Sequence, residues 1–332
     1  MTIDDVARAA GVHKATVSRA LNPATQDLVS GDTVRRVKRV AERLGYVPNA
    51  VARSLRTRQS STIGVVVPDL MNPIFPPLVR GVESWLQPRG YTSLVANTDD
   101  QDAIEDRVLE SLLQRHVDGV VVASGRLEDQ AALRRADAAG LPVVMANRAA
   151  ADGRPSVTSD SAAGIVAAVA HLVGLGHRDI LHLAGPATFS TTRERADAFV
   201  SAAVESGVVP RVVAAGGLAV VDGEEAMARV LAAGPAPTAV VTGNDLVALG
   251  AIHALRKHGL SVPGDVSVVG FNDMPFAADV HPALTTVHVP LHDIGVHAAR
   301  LLLDAIEGGV PVAASVTLPV RLVVRESSGP VR

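Results

Sequence analysis

Residues 2–22 read TIDDVARAAGVHKATVSRALN. Thr2 is a ready N-cap for a helix that carries Ile3, Val6, Ala7 and Ala10 at helical spacing and stops at Gly11. Gly11-Val12-His13 makes a tight turn. A second helix is expected over about Lys14 to Leu21, with Val17 and Leu21 four apart on one face, and Asn22-Pro23 ends it. Ala7 and Val17 are small enough to let the two axes cross closely. Ser30 offers a cap for a third helix, Asp32 to Leu44, whose stripe is Val34, Val37, Val40, Ala41 and Leu44, closed by Gly45. Helix, Gly-containing turn and helix form the helix-turn-helix template, in which the second helix enters the major groove by its N-terminal end. Lys14, Ala15, Ser18 and Arg19 would be exposed there. Thr16 and Ser18 suit phosphate oxygens, and Arg19 can fork onto guanine O6 and N7. The bland alternative is a three-helix bundle with surface cations.

Charge fits either reading, a polyanion-binding head or a solvated basic helix. The 332-residue chain has a net charge of −3. Residues 1–58 hold eleven Lys/Arg against five Asp/Glu, or +6, and the remainder twenty against twenty-nine, or −9. A basic head on an acidic body attracts a polyanion by the field it projects. With no cysteine there is no disulfide, thiolate metal site or cysteine nucleophile, and a reducing cytoplasm suits the chain. The longest stretch free of Asp, Glu, Lys and Arg, between Asp160 and Arg178, is broken by His171, His177 and three glycines, so no membrane span is expected.

From Thr62 onward, β-branched runs alternate with helical periods. Strands are expected at Ile63–Val67, Tyr91–Ala96, Gly119–Ala123, Pro142–Ala146, Ile180–Leu183, Arg211–Ala214, Thr238–Thr242, Val266–Gly270 and Leu284–Val289. So much buried parallel strand divides into two doubly wound sheets with a cleft between them. The fold class is thus an all-α helix-turn-helix head plus an α/β sensor of two parallel-sheet subdomains. The domains are 1–47, a hinge or linker 48–60, and 61–329.

The strings D-V-A, A-G-V, T-V-S-R-A-L-N and L-G-Y-V-P-N-A-V-A-R-S-L resemble the LacI–GalR family of bacterial transcriptional repressors. PDLMNPIFPPLVRGVE, HLVGLGHRDILHLAGP, PTAVVTGNDLVALGAIHAL and DVSVVGFND extend the likeness through a periplasmic-binding-protein-like core. The resemblance implies a repressor that binds operator DNA and a small effector, as a homodimer joined through the amino-proximal subdomain. It implies that residues 48–56 form a hinge helix on the operator, with Leu55 wedging a base step in the minor groove. The residues expected to face DNA are Thr2, Lys14, Ala15, Thr16, Ser18, Arg19, Asn22, Asn49, Ala52, Arg53 and Leu55. His13 departs from the Ser or Thr usual at the recognition-helix cap, and His caps less well.

Open α/β sheets bind ligands at the carboxyl ends of their strands, where polar residues cluster after each run. With the resemblance, these give Asn72, Phe75, Asn147, Arg148, Thr191, Arg195, Asp245 and Asn272 as the effector set. A polyol would find acceptors, forked donors and a ring face there. Asn147 departs from the Asp usual at its position. Asp245 precedes the helix Leu246–Lys257, so an N-cap role is its alternative. His171, His177 and His182 do not share one face at ligand spacing, and no cofactor or metal is expected. Two other readings compete: a transport solute-binding protein, which has no use for the basic head, and an enzyme, for which no nucleophile–base pair or phosphate loop is visible.

Overall fold

The computed structural model describes residues 1–22, 25–46, 59–127, 131–308 and 315–332. By its internal contacts the chain divides into two units, Met1–Ser60 and Ser61–Arg332. The expected hinge residues Asn49, Ala52, Arg53 and Leu55 lie outside the described residues.

In the first unit, α1 (Ile3–Ala10), α2 (Lys14–Ala20) and α3 (Gly31–Arg43) surround one small core, with a 3₁₀ turn at Gln26–Leu28. Thr2 and Asp5 form a capping box. The Thr2 amide and hydroxyl each donate to Asp5 Oδ2 at 2.9 Å, and the Asp5 amide donates back to Thr2 Oγ1. Those Thr2 hydrogen bonds hold the Asp5 carboxyl below its usual range. Gly11 closes α1 at φ 63°, where a side chain is strained. Val6, Val17 and Val37 are fully buried where the three helices meet. Each contributes roughly 1.5 kcal/mol or more by leaving water. His13 is the N-cap of α2: its Nδ1 accepts from the Ala15 amide at 3.2 Å. A ring nitrogen therefore does here what a hydroxyl oxygen does elsewhere.

The second unit holds two six-stranded sheets. In the first, β1 (Thr62–Val67), β2 (Thr92–Asn97), β3 (Gly119–Val122), β4 (Val143–Ala146), β5 (Ser156–Ser159) and β11 (Ser315–Leu318) run parallel in the order β11-β5-β4-β3-β1-β2. In the second, β6 (Ile180–Ala184), β7 (Arg211–Ala214), β8 (Ala239–Thr242), β9 (Ser267–Asn272), β10 (Thr285–His288) and β12 (Arg321–Val323) lie in the order β12-β10-β9-β8-β6-β7. Only β12 runs antiparallel to its neighbour there. The helices are α4 (Phe75–Leu86), α5 (Asp102–Gln114), α6 (Ala131–Ala138), α7 (Ser161–Gly174), α8 (Ser190–Glu205), α9 (Val220–Ala233), α10 (Asp245–Lys257) and α11 (Leu291–Ile306).

The nine expected strands all form, with ends shifted by at most two residues. Three more, β5, β11 and β12, were not expected. They are four, four and three residues long, and the Val-Thr pairs of SVTS and SVTL and the lone Val of RLV are too short a signal to announce them. They matter because of where they sit. The chain leaves the first sheet after β5, returns through α11 to β11, and crosses once more into β12. Three strand-end segments therefore join two subdomains.

Two helix crossings are close enough to require glycine. A Cβ on Gly81 of α4 would stand 2.0 Å from the His292 carbonyl oxygen of α11. One on Gly250 of α10 would stand 2.0 Å from the Val220 carbonyl oxygen of α9. Each subdomain thus has a pair of helices in near backbone contact.

Candidate functional site

On the head, Lys14, Ala15 and Arg19 are exposed on α2, while Thr16 and Ser18 are partly buried. Val17 and Ala20 face the core, so the helix presents one polar side outward. Neither Lys14 nor Arg19 has an acidic partner within 4 Å among the described residues. The Thr2 hydroxyl is engaged in its capping box. Asn22 follows the end of α2, where the Thr25 hydroxyl donates to the Arg19 carbonyl at 3.2 Å.

In the body, the chain-order reversal lies beside β1 in the first sheet and beside β6 in the second. Ligand crevices open at the carboxyl ends of strands at such points. The eight expected effector residues divide between two groups and two outliers. Asn147 and Arg148 follow β4. Asn147 takes a left-handed φ of 65°, which Asn tolerates, and its buried Oδ1 has no hydrogen-bond partner. Arg148 reaches across to the other subdomain. Its guanidinium lies 3.7 Å from the centre of the Phe189 ring, which precedes α8. It also donates to the Ser124 carbonyl at 3.0 Å and pairs with Asp100 at 3.1 Å. Burial pulls the Arg148 guanidinium down, and Asp100 opposes that.

Backbone contacts reinforce this crossing. The Leu127 amide donates to the Thr188 carbonyl and the Ala149 amide to Ser190 Oγ, both at 2.8 Å. Arg126 holds the Asp100 carbonyl and Asp102, and lies 5.4 Å from the same Phe189 ring. Phe189, Ser190 and buried Thr191 thus form a tip gripped by two arginines. Arg126 escaped the sequence reading although it stands just past β3. A strand-end scan extended by three residues would have found it.

The second group gathers past β8 and β9. Arg195 on α8 is buried, with its guanidinium 3.7 Å from the Phe271 ring centre. It donates to the Gly243 carbonyl at 2.6 Å and to Ser161 Oγ at 3.3 Å. Burial lowers its pKa to about 10, against the pull of Glu194 and Asp245, and Arg148 lowers it further. Asn272 ends β9 at φ 111°.

The N-cap alternative for Asp245 is set aside by the structure. Asn244 is the cap of α10, its Oδ1 accepting from the Val247 amide at 2.8 Å. Asp245 is fully buried and accepts from the Met274 amide at 2.7 Å and the Thr286 hydroxyl at 2.5 Å. Burial still raises its pKa to about 7. Asp245 thus ties the start of α10 to the β9–β10 segment.

The outliers lie at and just before the start of α4. Asn72 Oδ1 accepts from the Ile74 amide at 3.3 Å in a turn. Phe75 is the first residue of α4, and its ring is buried in the larger core. Prolines at positions 76 and 77 preset the backbone for a helix start. Near them a cavity of about 300 Å³ is lined by Pro73, Pro77, Asn272, Asp273, His288 and Pro290, among others; only Asn272 belongs to the expected set.

His171, His177 and His182 fall on α7, a loop and β6. Among the described residues no group of three or more His, Cys, Asp or Glu could hold a metal ion, and no helix is long and apolar enough to cross a membrane.

A head of this kind and a two-subdomain body recur in known proteins. The model of the bacterial regulatory proteins of the lacI family matches residues 2–49, and that of the periplasmic binding protein-like domain matches residues 169–328. The ribose operon repressor of Bacillus subtilis (strain 168) is 33% identical over 327 residues, 98% of each chain. The crystal structure of the lac repressor dimer bound to operator and the anti-inducer ONPF has a TM-score of 0.88 at 30% identity, covering 99% of each chain. That of a LacI family transcriptional regulator from Enterococcus faecium with bound ribose has a TM-score of 0.72 at 28% identity, covering 82% of this chain and 100% of that one. With a relative above 30% identity along nearly its whole length, the chain belongs to the lacI family of bacterial regulatory proteins.

Proposed function

We propose that the chain is a transcriptional repressor that grips a near-palindromic operator as a homodimer, its affinity set by a sugar or sugar derivative seated between the two subdomains. It is a regulator and not an enzyme, and it works in the cytoplasm. Lys14 and Arg19 meet base edges, and Thr2, Ala15, Thr16, Ser18 and Asn22 pack on the backbone of the same groove. Asn49, Ala52, Arg53 and Leu55 serve the minor groove. Asn72, Phe75, Asn147, Arg148, Thr191, Arg195, Asp245 and Asn272 form or brace the effector cleft.

One observation carries this reading: α2 offers exposed Lys14 and Arg19, without acidic partners among the described residues, on a head capped and packed to hold that helix rigid. The relatives named above include a repressor of a sugar operon and a regulator holding ribose. The Arg148–Phe189 stack and the two amide bonds beside it supply the second state. They are made or broken together when the subdomain angle changes, which a ligand can bias by its differential affinity.

The test is selection of DNA by the full-length protein at fixed salt, from a pool of inverted repeats against random fragments. Enrichment of one repeat is expected, with release or tightening by a member of a sugar panel. Equal retention of all fragments, with and without the panel, overturns the reading. Arg19→Ala is expected to lose about 1–3 kcal/mol of discrimination at one base position. Discrimination unchanged at every position removes Arg19 from base contact.

A further inference from the structure

The cavity of about 300 Å³ beside α4 shares only Asn272 with the effector set. Its wall is assembled from three places. Pro73 and Pro77 stand at the start of α4 in the first subdomain, and Asn272 to Pro275 end and follow β9 in the second. His288 to Asp293 are the segment that leaves β10 and enters α11, one of the three crossings. Junctions of this kind are where small molecules preferentially bind. The volume is roughly twice the ~150 Å³ that holds a benzene ring.

The lining decides what fits. The prolines at 73, 77, 275 and 290 have no N–H to offer, and with Met274 and Leu291 they make most of the wall apolar. A polyol buried there leaves hydroxyls without partners, which is costly, whereas a flat ring does not. The polar end is Asp273 and His288. Asp273 Oδ1 accepts from Arg325 at 2.7 Å, and Asp273 Oδ2 lies 3.0 Å from His288 Nδ1. A carboxylate only accepts, so Nδ1 carries the proton, and in the neutral ring Nε2 is an acceptor. Among the described residues Nε2 has no partner. Asp273 is itself fixed: its backbone is left-handed at φ 55°, and its amide donates to Thr286 Oγ1 at 3.3 Å. Arg325 balances the Asp273 carboxylate, and exposed Asp293 adds a further negative charge to the wall, so an anion is disfavoured.

We propose that this cavity is a second ligand site, apart from the cleft of Arg148 and Arg195, and that it takes a small uncharged planar ring compound whose single N–H or O–H donates to His288 Nε2. The apolar wall covers the ring. An occupant touches both subdomains and the connection between them, so it favours one angle between them over others. Asn272 is common to this site and the effector set.

Indole is the probe, an uncharged bicyclic ring with one N–H, and 1-methylindole is the same ring without the donor. Each is titrated into full-length protein without DNA while the melting midpoint is followed. At tenfold above its Kd, indole raises the midpoint by about 3 °C. 1-Methylindole is expected to need about fivefold more for the same rise, because it offers His288 Nε2 no hydrogen. His288→Phe removes the acceptor and is expected to bring the two probes level. Pro77→Trp fills the cavity and is expected to abolish the rise with both. No rise with indole in the wild type overturns the proposal, and so does equal potency of the two probes there. An indole advantage that survives in His288→Phe, or an undiminished rise in Pro77→Trp, overturns it too. Should His288→Phe fail to fold, the wild-type comparison and Pro77→Trp decide. A second copy lying over the cavity in the homodimer gives no rise with either probe and counts against the site. No arm uses DNA, so the repressor reading stands or falls separately.

Discussion

Arg148 and Arg195 are equally buried, and each lies 3.7 Å from an aromatic ring centre, yet they are satisfied differently. Arg148 has a carboxylate, a backbone carbonyl and a ring from the opposite subdomain. Arg195 has a carbonyl, a hydroxyl and a ring, all from its own subdomain and the crossing segment beside it. The first is built like a strut and the second like a cation held in reserve. The difference shows that burial alone does not give a charged residue its role; the partners do.

The largest effect is expected from Arg148→Met. It breaks the stack on Phe189, strands the Ser124 carbonyl and leaves Asp100 without its cation. The stack is worth about 1 kcal/mol and an orphaned buried carbonyl about 1–3 kcal/mol. Asp100 is 40% exposed, so the ion pair is discounted for solvent. A loss of about 3 kcal/mol in urea unfolding is expected. A loss below 1 kcal/mol would remove the strut.

The next effect concerns pH, through two groups that feel Arg195. Burial raises Asp245 to about 7 from the ordinary 3.8. The folded state therefore favours its protonated form, a stabilisation complete below about pH 4 and lost as pH rises through 7. Burial lowers His182 to about 4 from 6.5, with the Val241 carbonyl opposing and Arg195 assisting. That stabilisation is complete above 6.5 and lost as pH falls through 4. Between pH 4 and 6.5 the two trends oppose, so wild-type stability is nearly flat there. Asp245→Asn removes one of them. It is expected to unmask a slope of up to about 1.4 kcal/mol per pH unit, with stability falling on acidification. Urea midpoints at half-unit pH steps measure it, and an equally flat profile in the variant contradicts the assignment.

Much of this was legible beforehand, and the gaps have physical causes. The head was readable because its signals are local: Thr2, Gly11 and Gly45 punctuate helices whose apolar spacing is plain. The central strands were readable because burial on both faces writes continuous Val and Ile. β5, β11 and β12 were not, since short strands at or near a sheet margin draw their order from neighbours rather than from their own residues. The strand-end rule proposes a cleft set, but it does not say which of its members are spent on scaffolding. Whether Asp245 caps a helix or accepts from Thr286 depends on a partner forty-one positions away, which spacing does not encode. The Phe189 tip was missed as a contact because it is made only when two subdomains meet.

The smallest effect is expected from Arg195→Met without ligand, and it decides between the two descriptions. The substitution loses the Gly243 and Ser161 bonds, of which the second is long at 3.3 Å. It relieves a buried charge with no carboxylate within 4 Å among the described residues, and also the repulsion from Arg148. Methionine keeps most of the apolar contact with Phe271. Replacing a buried charge by an apolar side chain of similar length is often neutral or stabilising, so a net change within about 1 kcal/mol is expected. A loss of 3 kcal/mol or more in the same urea titration would make Arg195 a strut like Arg148. The asymmetry between the two walls of the cleft would then be one of geometry alone.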